Sequence, residues 1–238
     1  MKKIQFTLIV AFLGLFLSSC WFMGPSVKGN GNVTEETRQV REFDELKVSR
    51  GMNVYVTQGS PAKVVVIADS NLHDVIETDV DGSTLKIFVN EMVRRHKEMK
   101  VMVTVEDLKA IGVSSGSNLY SQNQFMAKRL EIKVSSGANL FFDVNAENLT
   151  ADCSSGANIT LSGLAKDAKL EASSGANLKG QELKVDRCNM RASSGANVFA
   201  TVVEQLDAKA SSGGNVIYYG EPGSTNVDTS SGGNVHRK

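Results

Sequence analysis

The pentapeptide Ser-Ser-Gly-Ala-Asn, or a one-residue variant of it, recurs seven times in this chain, starting at Ser114, Ser135, Ser154, Ser173, Ser193, Ser211 and Ser230. Successive copies are 21, 19, 19, 20, 18 and 19 residues apart. A unit of that length cannot bury an apolar face alone and has to stack on its neighbours. The repeat therefore commits this half of the chain to a solenoid, and any function has to be expressed on a repetitive surface.

Aligned on the first Ser, every copy alternates with period 2, apolar in and polar out. Three residues before the motif stand Ile111, Ile132, Ala151, Leu170, Met190, Ala208 and Val227; one before stand Val113, Val134, Cys153, Ala172, Ala192, Ala210 and Thr229. Between them lie Lys133, Asp152, Glu171, Arg191, Lys209 and Asp228. Leu119, Leu140, Ile159, Leu178, Val198, Val216 and Val235 follow the Asn. Each repeat thus reads as strand, corner, strand and a return too short for an amphipathic helix. Parallel crossovers wind right-handed by default. The expected fold is all-β, a right-handed parallel β-helix with coils of about 19 residues, behind a less regular N-terminal β region. An antiparallel β-roll or sandwich is the alternative.

At the corner, Gly admits positive φ without a Cβ clash. Asn is the next-best left-handed residue, and its amide can bond locally. Stacked one strand spacing apart, Asn118, Asn139, Asn158, Asn177, Asn197, Asn215 and Asn234 are expected to form an amide ladder. The ladder gives the motif a structural reason; a multivalent docking edge for glycan or protein is the functional one.

The N-terminus has a different character. Lys2 and Lys3, the apolar run Ile4 to Leu17, and Leu17-Ser18-Ser19-Cys20 have the layout of a secretory signal. The last four residues resemble a bacterial lipobox, which implies lipidation of Cys20 and a membrane anchor. Trp21 after the Cys favours the outer membrane by resemblance to sorting rules. The expected organisation is a signal peptide over 1–19, a flexible tether over 20–38, an N-terminal β region over 39–110 as solenoid entry, and the repeat solenoid over 111–238. Val-Ser-Arg-Gly-Met-Asn-Val at 48–54 reads as a decayed eighth copy. Asn71 to Ile76 reads as one helical turn, and Val80-Asp81-Gly82-Ser83 as a hairpin turn.

Chemistry is sparse. The chain holds 26 Lys plus Arg and 26 Asp plus Glu, and a balanced charge argues against nucleic acid as partner. His73, His96 and His236 lack metal-ligand spacing, and no His or Lys recurs beside the Ser pairs. The outward Lys133 to Asp228 column contains no stack of three carboxylates of the kind a polysaccharide-cleaving β-helix needs. No cofactor, metal or catalytic residue is expected, and the chain does not read as an enzyme. Cys153 and Cys188 sit two coils apart, about 9.6 Å, too far for a disulfide. Both are expected as buried thiols.

The motif series, the lipobox and the entry Phe43-Asp44-Glu45-Leu46 to Gly51 resemble the putative auto-transporter adhesin, head GIN domain family. The resemblance spans about residues 40 to 235. It implies a β-helical fold and an envelope location, and brings no binding residues. The expected function is that of an outer-membrane lipoprotein binding glycan or surface protein along the solenoid. A structural envelope module is the alternative, and a polysaccharide-active enzyme a more distant one. The last coil is expected to present an open sheet edge. Either His236-Arg237-Lys238 discourages pairing there by charge, or the edge joins another subunit in a homo-oligomer.

Overall fold

The computed structural model of the protein describes residues 26–238. Its repeating element is a tight turn. Within each motif the fourth residue donates its N–H to the carbonyl of the first, as Ala157 does to Ser154 at 3.1 Å. The two residues at the tip have positive φ, 52° at Ser155 and 69° at Gly156, which is type I′ geometry. The same pair is left-handed in all seven copies. Gly was expected in this role, but its partner is the second Ser and not the Asn. The Asn instead opens the following strand.

Between turns the chain runs as long bent strands, Asn139–Cys153, Asn158–Ala172, Asn177–Ala192 and Asn197–Ala210. Each pairs in parallel with the next, and the motifs stay in register: Asn139 opposite Asn158, Asn158 opposite Asn177, Asn177 opposite Asn197. The columns read from the repeat spacing are the observed columns, for example Ile132, Ala151, Leu170, Met190 and Ala208. The architecture is a parallel β-solenoid, not a roll or a sandwich. In-out alternation slips at the same place in each of these coils, where two or more polar or exposed residues follow each other, as at Glu147-Asn148 and Lys166-Asp167. That slip makes a second corner.

The stack does not begin at residue 111. Glu45–Val48 pairs in parallel with Ala110–Val113 and with Thr84–Val89; Asn53–Gln58 pairs in parallel with Asn118–Ser121 and with Met99–Val105. Arg50 and Gly51 take φ of 58° and 78°, so the 48–54 segment is an eighth corner. Beyond it the pairing turns antiparallel. Ile76–Asp81 forms a hairpin with Thr84–Val89, Lys63–Asp69 lies against Met99–Val105, and Val33–Arg38 lies against Lys63–Asp69. A 3-10 helix, Ser70–Val75, joins the two sides and buries Leu72 and Val75. One apolar core runs from Phe43 to Val216.

The described part of the expected tether is not a tether. Ser26–Val27 pairs in parallel with Met92–Val93, and Val33–Arg38 is an edge strand of the cap. Asp69 holds the segment down, accepting hydrogen bonds from the N–H of Gly31 (2.8 Å), Lys97 (3.1 Å) and Glu98 (3.2 Å). A side chain at Gly29 would put its Cβ 2.2 Å from the same carboxylate. Sequence reading missed this because the partners lie 26 to 66 residues away, from Arg38 opposite Val64 to Ser26 opposite Met92, and Val33–Arg38 has no buried face.

Candidate functional site

Three features of the outer surface follow from the stacking. The first is the asparagine row. Each Asn donates from Nδ2 to Oδ1 of the Asn one coil before it, from Asn118 onto Asn53 through to Asn215 onto Asn197, at 2.8 to 3.2 Å. Asn234, expected in the row, turns its Nδ2 to Nδ1 of His236 at 3.4 Å. Asn53, from the eighth corner, is a rung that sequence reading left out. Every internal rung has one donor and one acceptor committed to its neighbours.

The second feature is an aromatic stripe two residues after that row. Tyr55, Tyr120 and Phe141 are register partners on the outward side. Their rings stack at centroid distances of 5.1 and 5.2 Å, with interplanar angles of 17° and 5°. Phe141, at the end of the stack, is 45% exposed, because its neighbour Thr160 is small. No functional residue was assigned here from sequence. The signal was present, since the second position after the Asn reads Tyr, Tyr, Phe in three consecutive corners.

The third feature lies at the second corner. A groove of about 1170 Å³ runs across the coils, floored by Ala127, Ala146 and Ala165 and bordered by Lys128, Glu147 and Lys166. Met126 and Leu164 project from it, 55% and 48% exposed. Away from the groove some outward charges neutralise one another between coils. Arg187 grips Asp167 with two bonds of 2.7 Å, Arg191 meets Glu171 at 3.4 Å, and Lys209 meets Asp228 at 2.7 Å.

The family model for the putative auto-transporter adhesin, head GIN domain matches residues 42–222. The chain belongs to this family. Its fold is shared with solved structures of low sequence identity. A putative adhesin from Bacteroides fragilis is 18% identical, with a TM-score of 0.83 over 89% of this chain and 100% of that one. A putative adhesin from Parabacteroides distasonis is 20% identical, with a TM-score of 0.73 over 90% of this chain and all of that one, 100%. A putative lipid binding protein from the same organism is 18% identical, with a TM-score of 0.70 over 90% of this chain and 100% of that one. A comparison with curated proteins gives no match. The family's description suggests an envelope or surface protein with a non-enzymatic role.

The remaining candidate groups are chemically quiet. Cys153 and Cys188 are free and buried. Burial pushes both thiols up to about 12, which suppresses the nucleophilic thiolate. Among the described residues no group of three or more His, Cys, Asp or Glu side chains could hold a metal ion. Among them, too, no helix is long and apolar enough to cross a membrane. Cys20 and the signal-like segment lie outside the described residues.

Proposed function

We propose that this protein is a lipid-anchored adhesin of the cell envelope that holds a glycan or a protein along its solenoid surface and catalyses no reaction. The observation that carries the binding reading is the partly exposed stack of Tyr55, Tyr120 and Phe141 beside an uncharged row of asparagines. Aromatic side chains dominate binding energy at protein surfaces, and neutral surroundings suit a neutral polyhydroxylated chain. The asparagines themselves have their amides committed to the ladder, so they frame the site and the rings supply the contact. An array of immobilised polysaccharides and extracellular matrix proteins tests this. Retention on at least one class is expected, with loss on Tyr120→Ala combined with Phe141→Ala; retention on none would refute the adhesin reading.

The anchor reading rests on Lys2, Lys3, the apolar run and Cys20. Cys20→Ser is expected to move the protein from the outer-membrane fraction to the soluble fraction. An unchanged distribution would overturn lipidation at this residue.

A further inference from the structure

One edge of the solenoid carries a charge pattern that is its own complement. Lys128, Glu147, Lys166 and Asp186 occupy the same place at the second corner of successive coils. Ala127, Ala146, Ala165 and Val185 pair in register on one side of them, and Arg129, Asn148, Asp167 and Arg187 on the other. The row therefore alternates in sign at a spacing of about 4.8 Å. Lys128, Glu147 and Lys166 are exposed, and Asp186 is half-buried. Arg187 with Asp167, Arg191 with Glu171 and Lys209 with Asp228 pair between neighbouring coils, whereas no side chain of this row has an ion pair or hydrogen bond among the described residues. The row runs along the alanine-floored groove from which Met126 and Leu164 project.

We infer that this edge docks a second copy of the same chain about a two-fold axis perpendicular to the row. An isologous contact requires a patch that complements itself. A two-fold of this kind runs the rows antiparallel. Lys128 then faces the partner's Asp186, and Glu147 faces the partner's Lys166. Every contact along the row is attractive. A parallel alignment puts each charge opposite its own copy and is repulsive throughout, so the sign pattern selects one orientation. In the column beside the row, Met126 then faces the partner's Lys184 and Leu164 faces the partner's Asn145. Charges of this kind set orientation and association rate more than affinity, and salt screens them. The pair is therefore weak, reversible and salt-sensitive. It places the two N-terminal ends at opposite ends of the assembly. The inference is independent of the aromatic stripe, which lies on a different outward column.

The test is resonance energy transfer between donor- and acceptor-labelled full chains in detergent, titrated at low and high salt. Glu147→Lys or Lys166→Glu alone turns two attractive contacts of the pair into two repulsive ones. Each is expected to weaken self-association by about tenfold or more. The double variant Glu147→Lys with Lys166→Glu restores opposite signs across the axis and is expected to recover most of the association. Circular dichroism spectra like that of the unmodified chain show that the single variants have folded. The inference is overturned if the unmodified chain does not associate, if the single variants associate as well as the unmodified chain, or if the double variant fails to recover. Capture of a different molecule by the groove, without self-association, also overturns it.

Discussion

A serine held in left-handed backbone is the unusual residue of this structure. The second Ser of each motif has φ between 48° and 55°, a conformation that costs a non-glycine L-residue about 1–2 kcal/mol. Its carbonyl is used in return. Ser174 accepts the N–H of Gly156 from the coil before at 3.1 Å, and the same bond recurs from Gly51 onto Ser115 through to Gly213 onto Ser231. The tip positions thus link each turn to the next. This explains why Asn is absent from them: its amide is needed one residue into the strand, where the ladder runs. Sequence reasoning placed Gly correctly and moved the other left-handed residue to Asn, since Asn tolerates that conformation better than Ser in isolation. The tip glycines make a clean prediction. No atom lies within 4 Å of a Cβ built on Gly156, so Gly156→Ala meets only the backbone cost, about 1–2 kcal/mol by denaturant titration. Gly214, the fourth residue of its motif, has ordinary φ, but a Cβ there would lie 2.5 Å from the carbonyl carbon and oxygen of Ala192. Gly214→Ala is expected to destabilise by more than Gly156→Ala. The reverse order in the titration would mean that the coils can separate freely at that corner.

Within a coil, the element scale shows a compensation of volumes that no single column reveals. Where Ala151 is small its strand neighbour Leu149 is large; the next coil pairs Leu170 with Ala168, and a later one pairs Ala208 with Leu206. All six side chains are buried. Leu170→Ala is expected to cost about 2–5 kcal/mol. Exchanging the pair, with Ala168→Leu added, is expected to recover more than half of that loss, because total volume is restored. A double variant no more stable than the single one would show that position and not volume governs the fit. The cap offers a second test at this scale. Burial opposes charge on Asp69, but the N–H groups of Gly31, Glu98 and Lys97 outweigh it and hold the carboxyl below its ordinary value. A depressed folded-state value stabilises the fold above the unfolded value of about 3.9. That contribution is lost as pH falls through the folded value. Asp69→Asn is therefore expected to lower the melting temperature at pH 7, with the gap to the unmodified chain narrowing below pH 4. A gap independent of pH would remove the carboxylate from the argument. The solenoid was legible because equal spacing brings like residues into register, whichever residues they are. The cap was not, because Asp69, Gly31 and Lys97 share no spacing and meet only through antiparallel pairing. His73, isolated in sequence, likewise finds Thr34 Oγ1 at 3.0 Å and Glu36 Oε2 at 3.3 Å across that pairing.

Over the whole molecule the two ends of the stack differ. At one end the parallel strands run into the antiparallel cap, whose core residues Leu72, Val64 and Val66 are fully buried. At the other, Ser224–Thr229 pairs with Gln205–Ala210, Asn234–Arg237 pairs with Asn215–Tyr218, and among the described residues no strand covers their outer edges. Val227, in an inward column, is 47% exposed there, whereas Ala208 one coil back is fully covered. Stability in such a stack is close to a sum of nearest-neighbour terms, so a coil with one neighbour opens more often than a coil with two. Amide hydrogen exchange should register this directly. Exchange is expected to be fastest over 224–237, slower by at least one order of magnitude over 197–210, and slow again in Met99–Val105 at the capped end. Arg237, ion-paired with Glu221, puts a charged side chain on the outer strand, of the kind that disfavours edge pairing. Were 224–237 as protected as 197–210 in a concentrated sample and not in a dilute one, the open edge would be joining another subunit end to end. Equal protection at every concentration would contradict the nearest-neighbour account itself.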